Sequence, residues 1–365
     1  MRMNLRDFRK SQNDLEWELP AWGHPISQGV MPLFIGVHGR IFPIGTIFTT
    51  GKKVTFMVTA THNINELLKE DPRFAKVIAQ GMLEGSSDLS DGYTLYALHH
   101  HMDGDNVHLT LWPLEKIDGA SPTDVVFTHP KFSTDIQTLV TPLSFDFPAA
   151  GEVVLSIGYS EFTYPEQGID LEAVKSGSFD WLGSYSHRLF VTEGTVERIF
   201  TQKFASGYLA GPCFAFSPEI RHAMSGGPIY NASGNVCGVN SAAASSFFSE
   251  PMSLGSVFYP MLTRHLRFGA KLGPVTINAS HTMLDLIAHG TLKTDGSERH
   301  VAFTSDGQNG NLVAHPRSHS TTAGSSMMTL RRFKKAKPLQ SWLVNSSVLK
   351  CANLNRTIRQ RSRVR

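Results

Sequence analysis

Residues 222–241, HAMSGGPIYNASGNVCGVNS, are the stretch from which the fold is predicted. A serine followed by Gly-Gly-Pro stands between two strand-like segments, and Asn-Ala-Ser-Gly supplies a hairpin turn into the second segment. Gly226 and Gly227 permit a tight turn in which backbone N–H groups surround the Ser225 hydroxyl. Acyl transfer needs a hydroxyl beside donors for an oxyanion. The pattern therefore predicts that Ser225 is a nucleophile, with an ordinary surface turn as the alternative.

A histidine upstream stands where a general base would be held. The segment VTFMVTATHN, residues 54–63, places His62 directly after an apolar strand, so that the sheet can hold its ring towards a cleft. The chain has 16 histidines, so the position after a strand is weak evidence on its own. The combination of His62 with Ser225 carries the assignment.

Together these segments resemble the chymotrypsin-like serine peptidases, in particular the bacterial, disulfide-free branch of that double-β-barrel family. GTIFTTGKKVTFMVTATHN, residues 45–63, resembles the family's strand, turn and strand ending in Thr-Ala-x-His. Residues 224–241 resemble its nucleophile turn and the hairpin that follows. The resemblance covers residues 30–270 and implies an all-β fold of two six-stranded antiparallel barrels. It also implies a serine endopeptidase that hydrolyses polypeptide substrates through an acyl-enzyme, without metal or cofactor.

The third catalytic residue implied by the resemblance is an acid between His62 and Ser225 that orients the imidazole. We favour Asp135, because THPKFSTDIQTLVTP, residues 128–142, resembles the family's Asp-Ile-x-x-Leu strand. Asp124, in TDVVFTHP, is the alternative because it too heads an apolar run.

The resemblance assigns the N–H groups of Ala223 and Ser225 to an oxyanion hole. Family members usually carry glycine where this chain has Ala223, and alanine costs about 1–2 kcal/mol if φ is positive there. Met224 replaces the acid that pairs with a newly cut N-terminus in zymogen-type relatives, so activation by such a cut is not expected. Ala223 also favours a second hypothesis, a protease-fold module that binds peptides with little or no catalysis.

Substrate-binding residues follow from the same resemblance. Glu219 would lie near the base of the primary specificity pocket, where a carboxylate favours Lys or Arg. An exposed turn in SPEIRH is an equal alternative for Glu219. Ser241, Ala242 and Ala243 resemble the strand that lines this pocket and pairs with the substrate backbone.

Two sets of residues with ligand or redox chemistry are not assigned to a site. His99, His100 and His101 are consecutive, and alternate strand residues point to opposite faces, so they cannot all converge on one metal ion. Cys213 and Cys237 are expected to be reduced, small hydrophobic residues. Three cysteines in 365 residues favour a reducing compartment, and we predict a cytoplasmic protein.

The segments outside the middle of the chain have other compositions. We expect a polar arm at residues 1–29, the peptidase domain at 30–270, an irregular linker at 271–330 and a flexible basic tail at 331–365. Residues 253–268, SLGSVFYPMLTRHLRF, are expected to close the domain as a helix whose apolar side chains pack inward. Those side chains are Val257, Met261, Leu262 and Leu266.

The charge of the chain is divided unequally along its length. Of the 34 Lys and Arg residues, 11 lie in the tail, which has no acidic residue; the remainder carries 23 basic against 31 acidic side chains. A solvated tail is favoured over one that binds nucleic acid or another acidic partner. No run of about 18 apolar residues occurs, so no membrane association is expected. The oligomeric state is left open.

Overall fold

The computed structural model describes residues 9–10, 15–20, 22, 24–70, 94–103, 106–119, 123–131, 140–205, 209, 211–272, 275–305, 310–314 and 362–364. The strands are β1 (Arg9–Lys10), β2 (Glu16–Leu19), β3 (Val30–Val37), β4 (Arg40–Thr50), β5 (Phe56–Ala60), β6 (Thr94–Asp103), β7 (Asn106–Gly119), β8 (Val125–Pro130), β9 (Val153–Thr163), β10 (Ile169–Asp170), β11 (Ser186–Phe200), β12 (Cys213–Ser217), β13 (Pro228–Tyr230), β14 (Val236–Ala243), β15 (Ser253–Ser256), β16 (His265–Leu272), β17 (Val275–Thr282), β18 (Ala302–Ser305), β19 (Gly310–Val313) and β20 (Ser362–Val364). The α-helices are α1 (Thr61–Glu70), α2 (Leu171–Ser176), α3 (Trp181–Ser184) and α4 (Met283–Ala288). Short 3-10 helices cover Pro25–Gln28, Ser245–Phe247, Tyr259–Met261 and Ser297–His300.

Two closed antiparallel barrels of six strands each form the body of the described chain. The first follows the order β4-β3-β6-β7-β8-β5 and closes where β4 pairs with β5. The second follows the order β9-β11-β12-β15-β14-β13 and closes where β13 pairs with β9. Closure leaves neither barrel with an unpaired edge around its circumference. The predicted all-β, double-barrel architecture is confirmed.

The side chains of β3 show why these strands form. Every second residue from Met31 to Val37 points into the first barrel and is buried in its core. Phe34, on the opposite face, is also fully buried, because it packs in a cluster with Trp181 and Tyr185 outside the barrel. β3 is therefore buried on both faces, which explains its nearly continuous apolar sequence.

The N-terminal residues contribute strands instead of a simple lead-in arm. β2 pairs antiparallel with β11, and β1 pairs with β2, so both extend the sheet of the second barrel. Leu19 is buried in the core of that barrel. Residues 9–29 thus belong in part to the folded body.

The predicted closing helix is wrong, although the burial of its apolar residues is confirmed. Val257, Met261, Leu262 and Leu266 are each at most 1% exposed. Met261 ends a single 3-10 turn, Tyr259–Met261, and Leu266 lies at the start of β16, while Val257 and Leu262 lie just before and just after the turn. Pro260 lacks an N–H, and pairing of β16 with β17 satisfies the backbone that a helix would otherwise have satisfied locally.

The expected irregular region after residue 270 contains regular structure. β16 and β17 form a hairpin, α4 begins with a Thr282–Asp285 capping box, and β18 pairs with β19. Within the basic tail the structure describes only β20, which pairs in parallel with β7. In the described part of the chain, no helix has the length and hydropathy of a membrane span.

Candidate active site

Ser225 lies in the second of two consecutive β-turns, residues 221–224 and 224–227, between β12 and β13. The first turn is closed by a hydrogen bond from Met224 N to Arg221 O at 3.3 Å, and the second by one from Gly227 N to Met224 O at 3.0 Å. Each turn has its third residue at positive φ, Ala223 at 68° and Gly226 at 87°. This is the pattern of type II turns, which favour glycine at that position. Ser225 directly follows Met224, the residue that both turns share, and it is half-buried.

The two positive-φ positions differ in how much room they leave. A Cβ on Gly226 would lie 2.1 Å from both Thr46 O and Thr59 Oγ1, so only glycine fits there. Ala223 does carry a Cβ in the left-handed region, which costs about 1–2 kcal/mol. The backbone at Ala223 thus has the positive φ at which alanine is less favourable than glycine.

Hydrogen bonds to their carbonyls orient the two peptide groups that carry the Ala223 and Ser225 N–H groups, His222–Ala223 and Met224–Ser225. Ser160 Oγ donates to His222 O at 2.8 Å, and Asn240 Nδ2 donates to Met224 O at 3.3 Å. In a trans peptide the N–H points opposite to the C=O. The N–H groups of Ala223 and Ser225 therefore point away from these donors, and neither donates a hydrogen bond to any residue that the structure describes. Two such free donors are what an oxyanion needs.

His62 lies in the first turn of α1 and contacts the carboxylate of Asp124. His62 Nδ1 is 2.9 Å from Asp124 Oδ2, and His62 N donates to Asp124 Oδ1 at 3.0 Å. Because an ionised carboxylate only accepts, Nδ1 carries the proton and Nε2 is left as the basic nitrogen. The His62 side chain is 40% exposed and the Asp124 side chain 10%, so the acid is shielded while the base is accessible.

The acid that the structure places beside His62 is Asp124, the alternative named in the sequence analysis. The reason is strand register: Ala60 at the end of β5 pairs with Val125 at the start of β8, which sets Asp124 beside α1. Thr61 N also donates to Asp124 O at 3.2 Å. Asp135 lies outside the described residues.

Two residues of the first barrel and its helix α1 bind the backbone at Ser225. Ser225 O accepts hydrogen bonds from Thr46 N at 2.9 Å and from Asn63 Nδ2 at 3.0 Å. Asn63 follows His62 in α1 and is itself anchored on Thr59 Oγ1 at 3.0 Å. The structure therefore brings Ser225 next to the helix that carries His62, at the junction of the two barrels.

The end of β14 lies beside Ser225. Ser225 Oγ donates a long hydrogen bond of 3.5 Å to Ser241 O. The Ser241 side chain turns away and donates to Ser256 Oγ at 2.8 Å. Ala242 and Ala243 continue β14 beyond the last residue that pairs with β13, and they are progressively more exposed. This strand end has the geometry for pairing with an extended peptide.

Glu219 is exposed and lies after the Ser217–Pro218 peptide bond, which is cis. Its carboxylate accepts a hydrogen bond from Ser245 Oγ, on the segment that follows β14. Glu219 is therefore connected to the end of the strand formed by Ser241, Ala242 and Ala243, rather than isolated in a turn.

Of the residues that were left unassigned, His99, His100, Cys213 and Cys237 are buried. His99 stacks on Trp112 with ring centroids 4.3 Å apart, while His100 faces His187 on the other side of β6. Among the described residues, no cluster of three or more potential metal ligands occurs. Cys213 and Cys237 are free and buried, and burial raises the pKa of both thiols, to about 12 for Cys213.

Three residues of this site were missed by sequence reasoning: Asn63, Ser160 and Asn240. Asn63 is separated from its Ser225 contact by 162 positions, and Ser160 from His222 by 62. Only the position of Asn63, directly after His62, gave a signal that could have been used.

The chemical capacity of the arrangement is clear from its parts. A hydroxyl, an imidazole oriented by a shielded carboxylate, and two unoccupied backbone donors are the groups used in acyl transfer. Met224, which separates the two donors, is fully buried against Gly158 and carries no charge into the site.

Comparison with known proteins yields similar structures but no sequence relative. No family model and no curated protein match the chain. It is similar to the MamO protease domain from Magnetospirillum magneticum in its apo form, with 14% identity and a TM-score of 0.38, over 64% of this chain and 93% of that one. It is also similar to the Rv3671c protease from M. tuberculosis. The active form gives 13% identity and a TM-score of 0.37, over 66% and 86% of the two chains, and the inactive form 15% and 0.34, over 66% and 93%.

These identities are too low to assign an activity. What the structure shows is the fold, two closed six-stranded antiparallel β-barrels in the chymotrypsin-like arrangement.

Proposed function

We propose that the protein is a serine endopeptidase in which Ser225, His62 and Asp124 form the catalytic triad. The observation that carries the proposal is the pair His62–Asp124, joined at 2.9 Å, whose neighbour Asn63 binds the backbone of Ser225. Asp124 takes the role that the sequence analysis gave to Asp135. The free N–H groups of Ala223 and Ser225 support the same function, because they complete the set of groups required.

The reaction has two balanced stages. Ser225 Oγ attacks the substrate carbonyl carbon while its proton passes to His62 Nε2, and the carbonyl oxygen becomes an oxyanion held by the two N–H groups. The C–N bond then breaks, and the leaving amine takes the proton from His62. Water then attacks the acyl carbon and gives one proton to His62 Nε2. The ester C–O bond breaks, Ser225 Oγ takes that proton from His62, and the product leaves as a carboxylic acid that keeps the other proton of the water. Asp124 stabilises the imidazolium throughout.

The substrate in this proposal is an extended polypeptide that pairs with residues 241–243. Glu219 would bind a basic side chain of the substrate, because its exposed carboxylate is joined to this strand end through Ser245.

A second candidate function is peptide binding without turnover, and one observation favours it. Ala223 is held in a strained backbone conformation that glycine would adopt without cost. A turn that relaxed at this residue would lose one oxyanion donor and retain the peptide-binding strand.

The test is cleavage of a broad peptide library together with labelling by a fluorophosphonate, which reacts only with an activated serine. The variants are Ser225→Ala, His62→Ala, Asp124→Asn and Asp135→Asn. We expect wild type to cut and to be labelled, and Asp124→Asn to lower kcat/KM by about 10⁴-fold. Ser225→Ala and His62→Ala should abolish both signals, and Asp135→Asn should remain near wild type.

Each other result has a defined meaning. A large loss in Asp135→Asn with an active Asp124→Asn would return the orienting role to Asp135. Folded wild type that is neither active nor labelled, yet binds library peptides, would establish the binding module instead. Preference for Lys or Arg that disappears in Glu219→Gln would support the proposed role of Glu219.

A further inference from the structure

An ion pair connects the N-terminal strand β2 to the turn that precedes the nucleophile. Glu16 lies on β2 and is only 6% exposed. Its carboxylate accepts from Arg221 Nε at 2.9 Å and from Arg221 Nη2 at 2.7 Å. This forked geometry is the strong form of an arginine–carboxylate contact. The two residues are 205 positions apart in sequence.

The guanidinium of Arg221 is enclosed on two further sides. Its Cζ lies 4.1 Å from the centroid of the Phe190 ring, and Nη1 donates to Glu161. Glu161 directly follows Ser160, the residue whose hydroxyl donates to His222 O. Arg221 and His222 are therefore both fastened to the end of β9, and Arg221 is also fastened to β2.

The turn that begins at Arg221 has two accessible forms. Rotation of its central peptide, between His222 and Ala223, interconverts type II and type I turns. In type I, Ala223 has a negative φ, which alanine prefers by about 1–2 kcal/mol. That rotation also reverses the direction of the Ala223 N–H. External contacts must therefore hold the turn in the strained form that presents this donor outward.

We propose that Glu16 is a positioning residue for catalysis: through Arg221 it holds turn 221–224 in the form that presents the Ala223 N–H to the substrate. The N-terminal strand β2 is thus part of the catalytic machinery even though none of its residues is placed at the reacting atoms. The inference rests on the proposed endopeptidase function.

The experiment compares Glu16→Gln with Glu18→Gln in the full chain. Glu18 is on the same strand and contacts Arg188 Nη1 at 3.6 Å. It is connected to the Arg221 cluster only indirectly, because Arg188 also contacts Glu161 at 3.2 Å, so it controls for the loss of one carboxylate from β2 without loss of the forked contact. In Glu16→Gln we expect kcat and the rate of fluorophosphonate labelling to fall about 10- to 100-fold, because an oxyanion donor is misplaced. KM should stay within about twofold, since the peptide-binding strand is untouched. Glu18→Gln should match wild type.

A second readout does not depend on activity. Amide hydrogen exchange of the peptide covering residues 221–225 should be faster in Glu16→Gln than in wild type and Glu18→Gln. Arg221→Lys, which keeps the charge but loses the forked contact, should reproduce both effects if Glu16→Gln does not fold. Glu16→Asp should restore part of the labelling rate.

The outcomes separate this inference from the function on which it rests. The positioning role would be overturned if wild type is labelled and the folded variants Glu16→Gln and Arg221→Lys have the same kcat and the same labelling rate as wild type. Unchanged exchange at residues 221–225 would overturn it as well. If wild type is not labelled at all, the endopeptidase function fails, and hydrogen exchange alone then decides whether Glu16 orders the turn.

Discussion

At Ala223 the chain holds an L-residue at a φ of 68°, between an arginine bound to two carboxylates and a buried methionine. The neighbouring carbonyl is held by Ser160, so the strain is balanced locally by hydrogen bonds. Strained backbone of this kind persists only where its surroundings determine it.

Replacing Ala223 by glycine tests that balance. Glycine at positive φ relieves the folded state of about 1–2 kcal/mol of strain. It also gives the unfolded chain more conformational entropy, which lowers the free energy of unfolding by about 0.4–1 kcal/mol. We expect Ala223→Gly to leave the free energy of unfolding unchanged or to raise it by up to about 1 kcal/mol, as measured by urea denaturation. Ala173→Gly, in helix α2, is the control and should lower it by about 0.5–1 kcal/mol. Equal losses in the two variants would contradict strain at Ala223.

Single residues were predicted with uneven success, for a physical reason. Ser225 and His62 are marked by their immediate neighbours, Gly-Gly-Pro and Thr-Ala, and the structure places them at one junction. Asp124 and Asp135 both precede apolar runs, so neighbours could not distinguish them. The register of β5 against β8 places Asp124 beside His62, and register depends on pairing between distant segments.

At the scale of elements, the hairpin β16–β17 is attached to the first barrel by a buried ion pair. Asp118, at the end of β7, is 1% exposed and accepts from Arg267 N at 2.7 Å and from Arg267 Nε at 3.1 Å. A hairpin alone is marginally stable, so its docking depends on such contacts.

Removing that carboxylate should destabilise the protein substantially. Asp118→Ala leaves the Arg267 N–H and guanidinium without this acceptor in a largely buried position, and we expect a loss of about 2–4 kcal/mol. Glu172→Ala breaks the exposed pair with Lys175 and should cost less than about 0.5 kcal/mol. Thermal and urea unfolding of both variants measure the difference. A loss below about 1 kcal/mol in Asp118→Ala would show that the hairpin docks by other contacts.

Elements were predicted from apolar spacing, which does not distinguish a helix from a turn followed by a strand. Val257, Met261, Leu262 and Leu266 fit either form, and the partner strand β17 decides for the second. β2 was not predicted as a strand, since four residues, EWEL, carry little periodic signal. Its partner β11 lies about 170 positions further along the chain.

At the scale of the whole molecule, several histidines are buried in uncharged form. Burial lowers the pKa of His24 to about 4, and it lowers the pKa values of His100 and His129 as well. His24 Nδ1 accepts from Ile26 N at 3.2 Å, an interaction that requires this nitrogen to be unprotonated. Acid therefore favours the unfolded chain, in which these histidines bind protons freely.

The sign and range of this effect can be measured. His24 binds its proton below about pH 6.5 in the unfolded chain but only near pH 4 in the folded protein. The contribution of neutral His24 to the free energy of unfolding is therefore fully present above pH 6.5 and is lost as the pH falls towards 4. His24→Asn keeps an acceptor for Ile26 N but does not titrate. Between pH 7 and pH 4.5 we expect its free energy of unfolding to fall by about 2–3 kcal/mol less than that of wild type. Identical pH dependence of His24→Asn and wild type would contradict the assignment.

The contacts that join the two barrels also set when the site comes into existence during synthesis. All six strands of the first barrel have been synthesised once residue 130 has emerged from the ribosome. The partner of Asn63, Ser225, follows 162 positions after Asn63, and the partner of Glu16, Arg221, follows 205 positions after Glu16. At about 5–20 residues per second, the ribosome takes roughly 10–40 s to deliver those partners. Under the proposed endopeptidase function, a nascent chain that has His62 and Asp124 but not yet Ser225 could not cut neighbouring chains until its own second barrel had been made.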